Sequence, residues 1–505
     1  MTSHLLLSLI AMQISMAAFD TIYHHEMTEH LAWRASQKHE LALHAARSLL
    51  YALLFVTLGF TELHGFWAML VITVLAIEVV ITLSDFVEED LSRKLPATER
   101  VLHTLLAVNY GAILVLLVPV LIEWTKQKTA IIPVFYGPVS VLAVLSAAGA
   151  VTFGLREFFA ARRAAWLNHG CVDTLVDEIA ERSTVLVTGA TGLIGTRLVE
   201  ALTAAGHDVI VLTRDPAKAA ALRPPFQLVT SLDQISNDAR IDIIVNLAGE
   251  PIANGLWTKK KRRRILESRL RMTEGIVRLI HWLDRPPSLL ISASAIGFYG
   301  AHGDEMLTES SEAAPSFGYD VCSAWEQAAT AAEQYGTRVV RLRIGLVLST
   351  DGGMLGQMLP SYEYALGARF GSGEQWMAWI ERDDLIRMIA HIIAHPEISG
   401  PVNATAPEPV RNSAFASELG RALGRPAFLR IPAMLLHHLA GSMADELLLT
   451  GRRVIPAKMQ AVGFKFRHTT LRDALSAILT NKPRDAIAAR LTNQPMTSAM
   501  SGRQG

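Results

Sequence analysis

The sequence predicts two architectures in one chain: an all-α transmembrane bundle, then a Rossmann-type doubly wound parallel α/β sheet with a smaller C-terminal substrate lobe. Three observations carry this. Five long apolar segments lie before residue 155. Strand-like and helix-like stretches then alternate from residue 184 onward, the pattern of a parallel sheet covered on both faces. At the first strand-to-helix junction stands Thr188-Gly189-Ala190-Thr191-Gly192-Leu193-Ile194-Gly195, behind the apolar run Thr184-Val185-Leu186-Val187.

The apolar segments run over roughly 3–19, 41–60, 64–83, 101–122 and 130–153, and the last four are long enough for a hydrocarbon core of about 30 Å. The first lacks a basic leader, so a cleaved signal peptide is a poor reading. Arg34, Lys38 and Arg47 cluster after the first segment, Arg93, Lys94 and Arg100 after the third, and Arg156, Arg162 and Arg163 after the fifth. The positive-inside rule then gives five spans with the soluble half in the cytoplasm; Lys126 and Lys128 alone speak against it. An integral inner-membrane protein of bacterial type, with the lipid bilayer as partner, is the expected setting.

Ionisable residues gather at the cytoplasmic ends of these spans. Glu26/His30, Glu40/His44 and Glu99/His103 are i,i+4 pairs on helix faces, and His24, His25, Asp85 and Glu89 stand near them. Glu78 lies deeper, where a charge is costly. The candidate ligands for a metal or haem are His24, His25, Glu26, His30, His44, Glu78, Asp85 and His103, since bundles hold such groups between facing helices. The competing reading is a set of solvated interfacial side chains paired with Arg47 and Arg100.

Two cysteines, Cys171 and Cys322, offer neither a disulfide framework nor a metal-type spacing. A formal net charge of zero argues against a general nucleic-acid binder. The domain boundaries expected are 1–155 for the spans, 156–183 for a linker helix, 184–399 for the sheet domain, 400–480 for a C-terminal module and 481–505 for a disordered tail.

In the glycine turn, Gly189 permits a tight bend, Gly192 lets backbone approach a pyrophosphate, and Gly195 lets the helix pack on the strand. Thr191, Leu193 and Ile194 bring the helix's unpaired N–H groups to the same point, an anion site by construction. The second strand ends at Thr213, with Arg214 where an NAD site places an acid, so NADP(H) is favoured through guanidinium contacts to a 2′-phosphate. The alternative is that Arg214 merely pairs with Asp215. Leu247-Ala248-Gly249-Glu250 closes the fourth strand with small residues over which a cofactor would lie. The basic run Lys259–Arg264 reads as a solvated face or a lipid contact.

These stretches, with Asn246-Leu247-Ala248-Gly249, Ser292-Ala293-Ser294-Ala295-Ile296-Gly297-Phe298-Tyr299-Gly300, Trp325-Glu326, Arg343-Ile344-Gly345 and Gly371-Ser372-Gly373-Glu374-Gln375-Trp376, resemble the extended short-chain dehydrogenase/reductases of the nucleoside-diphosphate-sugar epimerase-like group. The resemblance covers about 184–480, including a C-terminal module ending near Gly463-Phe464-Lys465-Phe466. It implies an extended dinucleotide fold and Ser/Tyr/Lys chemistry on a small-molecule substrate. Ser294 matches the serine, and Tyr319 is the nearest tyrosine. Ser323 stands where the lysine that lowers the phenol pKa belongs. Trp376, Trp379 and Arg343 are substrate-pocket candidates, with core packing as the alternative for both tryptophans. The function expected is an NADP(H)-dependent oxidoreductase or epimerase; the alternative is a non-catalytic NADP(H)-binding redox sensor coupled to the bundle.

Overall fold

The computed structural model describes residues 4–480 apart from 30, 35–36, 93–94, 167–171 and 221. His30, Cys171 and the expected tail 481–505 therefore lie outside the described residues. The N-terminal half consists of α1 (His4–Phe19), α2 (Lys38–Phe60), α3 (Phe66–Ser92), α4 (Ala97–Thr125) and α5 (Pro138–Trp166). By length and composition these supply five helices apolar enough to cross a membrane. The first reaches that length because α1 continues through wide π-type turns over Asp20–Thr28, beyond the end expected at residue 19. Small residues set the closest helix pair: a Cβ at Gly59 of α2 would stand 2.5 Å from Ala143 of α5. Bulky apolar side chains such as Val80, Val108, Val115 and Leu145 point outward, a surface that water disfavours.

Residues 156–166, expected to open a separate linker helix, are the last turns of α5, and the described stretch beyond residue 171 holds a single 3₁₀ turn, Asp173–Leu175. The reason is packing. Arg163 lies 3.6 Å over the Trp33 ring and donates to Glu363 at 2.7 Å, while Arg156 donates to the same carboxylate at 2.9 Å. Leu175 and Val176 then enter the core of the sheet domain.

That domain is built on β1 (Thr184–Thr188), β2 (Asp208–Leu212), β3 (Gln227–Val229), β4 (Ile243–Asn246), β5 (Leu289–Ala295), β6 (Arg338–Ile344) and β7 (Gly400–Ala404). The strands are all parallel, in the order β7-β6-β5-β4-β1-β2-β3. The chain winds outward in both directions from the β1/β4 junction, where such sheets leave a crevice for ligands. Val185 and Val187 bury on one face and Leu186 on the other, each in its own core cluster. Two differences from expectation have clear causes. The strand expected over 338–348 breaks at Gly345, whose N–H bonds Ala404 while Leu346 turns to Ala378, so Leu346–Leu348 pairs with Trp379–Glu381 instead. The edge strand β7 comes from the stretch expected to form the C-terminal module, so the sheet runs past the 399/400 boundary.

The helices that position the site are α6 (Leu193–Ala204), α7 (Lys259–Trp282), α8 (Phe317–Thr330), α9 (Gly353–Glu363) and α10 (Arg382–Ala394). Arg197, buried on α6, donates to Asp383 of α10 at 2.8 and 2.9 Å and to Glu200 at 3.1 Å. Removing Asp383 takes two hydrogen bonds from the buried guanidinium, while the bond to Glu200 remains. Asp383→Ala is expected to lower unfolding free energy in urea by about 3 kcal/mol, and the double replacement Arg197→Met, Asp383→Leu to recover most of it.

Candidate functional site

The glycine turn joins β1 to α6 by backbone packing. Gly189 has φ +67°, and a Cβ there would stand 2.7 Å from the Leu247 carbonyl carbon. A Cβ on Gly195 would meet the Ala190 Cα at 2.7 Å, so α6 packs directly on its own turn. Gly192 is exposed and extended at the N-cap, with no side chain bonded there, and Thr191, Leu193 and Ile194 are half-buried around it. The first turn of α6 therefore has no side-chain cap and begins at an exposed residue.

A cavity of about 1220 Å³ lies beside the carboxyl ends of β2 and β4, walled in part by Arg214, Thr230, Ser231, Ala248, Gly249 and Ser268. Arg214 is exposed on its rim, while Asp215 caps the next helical turn by accepting from the Ala217 N–H at 3.2 Å. Leu247 donates its N–H to Thr188, and Gly249 has the Arg269 guanidinium 3.0 Å from where a Cβ would sit. Glu250 receives Lys261 at 2.8 Å and Arg264 at 2.9 Å, and the Lys261 hydrogen bond holds its carboxyl below the usual carboxylate range. The basic run is thus not simply a solvated face, because Lys261 is buried against Glu250. Beneath this floor a buried chain links Thr188 to Asn246 (2.7 Å), Asn246 to Thr273 (3.0 Å) and Trp325 to Thr273 (2.9 Å).

Ser294, at the end of β5, is buried and donates to Glu326 Oε1 at 2.7 Å. Glu326 in turn receives both arms of Arg343 at 2.9 Å. Arg343 also donates to the Tyr299 hydroxyl at 3.0 Å, and Tyr299 donates to Asn403 of β7 at 2.6 Å. The single hydroxyl proton of Ser294 is therefore committed within a network that also absorbs Arg343, expected as a pocket residue. Glu326 and Asn403 were not singled out for a role from sequence; nothing in their local pattern distinguishes a buried acid from a surface one. Tyr319 sits in the first turn of α8, half-buried and edge-on to Phe298 at 5.6 Å. One turn on, burial pushes the Cys322 thiol up. Trp379 is fully buried and donates to the Glu408 carbonyl, a core residue. Trp376 is half-buried against Arg411 and lines a pocket of about 50 Å³ with Ile296 and Arg452.

The bundle's candidates divide. Glu26 pairs with Arg156, and Glu78 accepts from Tyr51 (2.6 Å), Thr82 (2.7 Å) and Tyr110, three hydroxyls that replace water around its carboxyl. Asp85 takes Arg47 at 2.8 Å, and His24 holds Asp20 at 2.7 Å. His25, His44 and His103 converge with carboxylates from several helices, among them Asp20 and Glu157, which sequence reading had passed over.

The profile described as "NAD dependent epimerase/dehydratase family" matches residues 185–404, and one described as "Domain of unknown function (DUF1731)" matches 431–478. An "epimerase family protein" of Mycobacterium bovis is 39% identical over 297 residues, covering 59% of this chain and 97% of that protein. The chain belongs to the epimerase family. A chloroplastic family member of Arabidopsis thaliana is 38% identical, over 59% of this chain and 86% of that one. The crystal structure of human epimerase family protein SDR39U1 with NADPH aligns at 32% identity and TM-score 0.54, covering 59% of this chain and 100% of that chain. Both profiles begin after residue 184, so the five helices lie outside the matched parts. For this epimerase-family turn, Gly189→Ala is expected to cost about 1–3 kcal/mol of stability from its positive φ and the Leu247 contact, read by chemical denaturation.

Proposed function

We propose that the chain is a membrane-anchored NADP(H)-dependent oxidoreductase or epimerase-type enzyme. It acts on a carbonyl, hydroxyl or sugar-nucleotide-like substrate and faces the cytoplasm. The observation that carries this reading is the uncapped N-terminus of α6 with Gly192 exposed, together with a cavity at the carboxyl ends of β2 and β4 that has Arg214 on its rim. The human relative crystallised with NADPH supports the same cofactor. Gly189, Thr191, Gly192, Leu193, Ile194 and Gly195 take the pyrophosphate; Leu247, Ala248, Gly249 and Glu250 line its path; Arg214 takes the 2′-phosphate. The nicotinamide, when bound, supplies or accepts hydride. The Tyr319 hydroxyl moves the accompanying proton. Ser294, whose own proton goes to Glu326, accepts from a substrate hydroxyl rather than donating to a carbonyl.

The bilayer reading rests on five helices of spanning length, outward apolar side chains and basic residues on one side. Arg156 and Arg163 near the end of α5 hold Glu363, which seats the sheet domain on that same side. A second reading, a non-catalytic NADP(H) sensor, is favoured by the Ser294–Glu326 bond and by Ser323 standing where the lysine belongs.

Two measurements test this. Arg214→Ala is expected to weaken NADPH binding about tenfold to a hundredfold in fluorescence titration while leaving NADH little changed, the value of one or two charge-assisted hydrogen bonds. No binding of either coenzyme to the wild-type chain would end the proposal. Oxidation of NADPH on addition of membrane lipid extract, abolished in Tyr319→Phe with coenzyme affinity intact, separates the enzyme from the sensor; unchanged turnover in that variant would remove Tyr319 from the mechanism.

A further inference from the structure

We infer that the five-helix bundle holds a pair of first-row divalent transition-metal ions between its helices, in two adjoining sets of imidazole and carboxylate donors. In the first set, Asp20, His25, Glu99 and His103 offer donor atoms that all lie within 4.8 Å of one another. In the second, Glu40, His44 and Glu89 do the same, and Glu157 stands within that distance of both His25 and His44. These residues come from all five helices: the π-type turns after α1, then α2, α3, α4 and α5. The i,i+4 pairs Glu40/His44 and Glu99/His103 each aim two donors from one helix face, and irregular π-type turns are frequent at functional sites.

The separations start at that of ligands around a shared ion and are otherwise a few tenths of an ångström wider. Donors about 2.1 Å from one ion stand about 3.0 Å apart at right angles and about 3.4 Å apart at the tetrahedral angle. Across these sets the distances are 3.0 Å for His103 to Asp20, 3.6 Å for His25 to Asp20, 3.8 Å for His25 to Glu99 and 3.8 Å for His44 to Glu89. An outer layer is present as well. Glu89 Oε2 lies 3.1 Å from His103 Nδ1, and Asp20 Oδ1 lies 2.7 Å from His24, contacts of the kind that fix ligand tautomer and orientation.

A second observation, the buried imidazole of His44, points into the same chamber. His44 is 2% exposed, and neither of its ring nitrogens makes a hydrogen bond, although carboxylate oxygens of Asp85 and Glu157 lie 3.1 and 3.6 Å away. Around it six carboxylates are buried: Asp20, Glu40, Asp85, Glu89, Glu99 and Glu157. Arg47 is ion-paired with Asp85, and His25, His44 and His103 face the other carboxylates. Imidazole with carboxylate and no thiolate selects manganese, iron, cobalt or zinc rather than the all-oxygen calcium and magnesium. A haem does not fit between the histidines, since the His25 and His44 rings stack at 4.7 Å.

The test uses the full chain in detergent. Chelator-stripped wild-type protein titrated with Co²⁺ is expected to develop visible d–d bands that stop rising at about two equivalents, and protein reloaded with Fe²⁺, Mn²⁺ or Zn²⁺ to retain about two per chain through gel filtration. Glu40→Gln and Glu99→Gln, with unchanged elution and helical circular dichroism, are each expected to lose about one equivalent. Stripped wild-type protein that shows no cobalt bands and retains less than about a tenth of an equivalent overturns the inference. So do variants that retain as much metal as the wild type.

Discussion

Two backbones meeting at van der Waals distance govern the soluble half. The bend at Gly189 lies against the carbonyl of Leu247, so the carboxyl ends of β1 and β4 converge with no side chain between them. The cavity with Arg214 on its rim lies on the β4 side of this junction, against Ala248 and Gly249. The hydrogen-bonded chain from Thr188 through Asn246 to Thr273 and Trp325 holds the same junction from beneath, tying β1, β4, α7 and α8 with buried polar groups that each find a partner.

The parts of this arrangement that obey local rules were legible in the sequence. Glycine spacing announces a turn because left-handed backbone and close approach are properties of one residue at a time. Continuous Val/Ile/Leu runs announce parallel strands because both faces are buried. What was not legible depends on partners distant in the chain. Ser294 looked available for catalysis, and only the fold brings Glu326 and, behind it, Arg343 to its hydroxyl. Lys261 sits in an uninterrupted basic run, yet one of its faces turns inward to Glu250, which local composition does not encode. The seventh strand was hidden because Gly400–Ala404 is too short and mixed to declare itself without β6 alongside.

The helical half repeats the lesson in a different currency. Glu78 stood out for its depth, and hydroxyls from three different helices meet its carboxyl there. Asp20 and Glu157 attracted no notice, since one falls where an apolar segment was expected to have ended and the other among arginines. Yet these two complete the ring of donors around His25 and His44. Depth and helical register, rather than residue type, decide which acids meet.

The helix α9 touches both worlds. At its start, a Cβ on Gly353 would stand 3.2 Å from Leu193 at the lip of the α6 mouth. At its end, Glu363 grips Arg156, the neighbour in sequence of Glu157. Eleven residues at about 1.5 Å each make a rod of about 16 Å between those contacts. One short rod, touched at either tip, thus spans from the lip of the glycine turn to the arginines that end the last apolar helix, and a displacement at one tip is felt at the other.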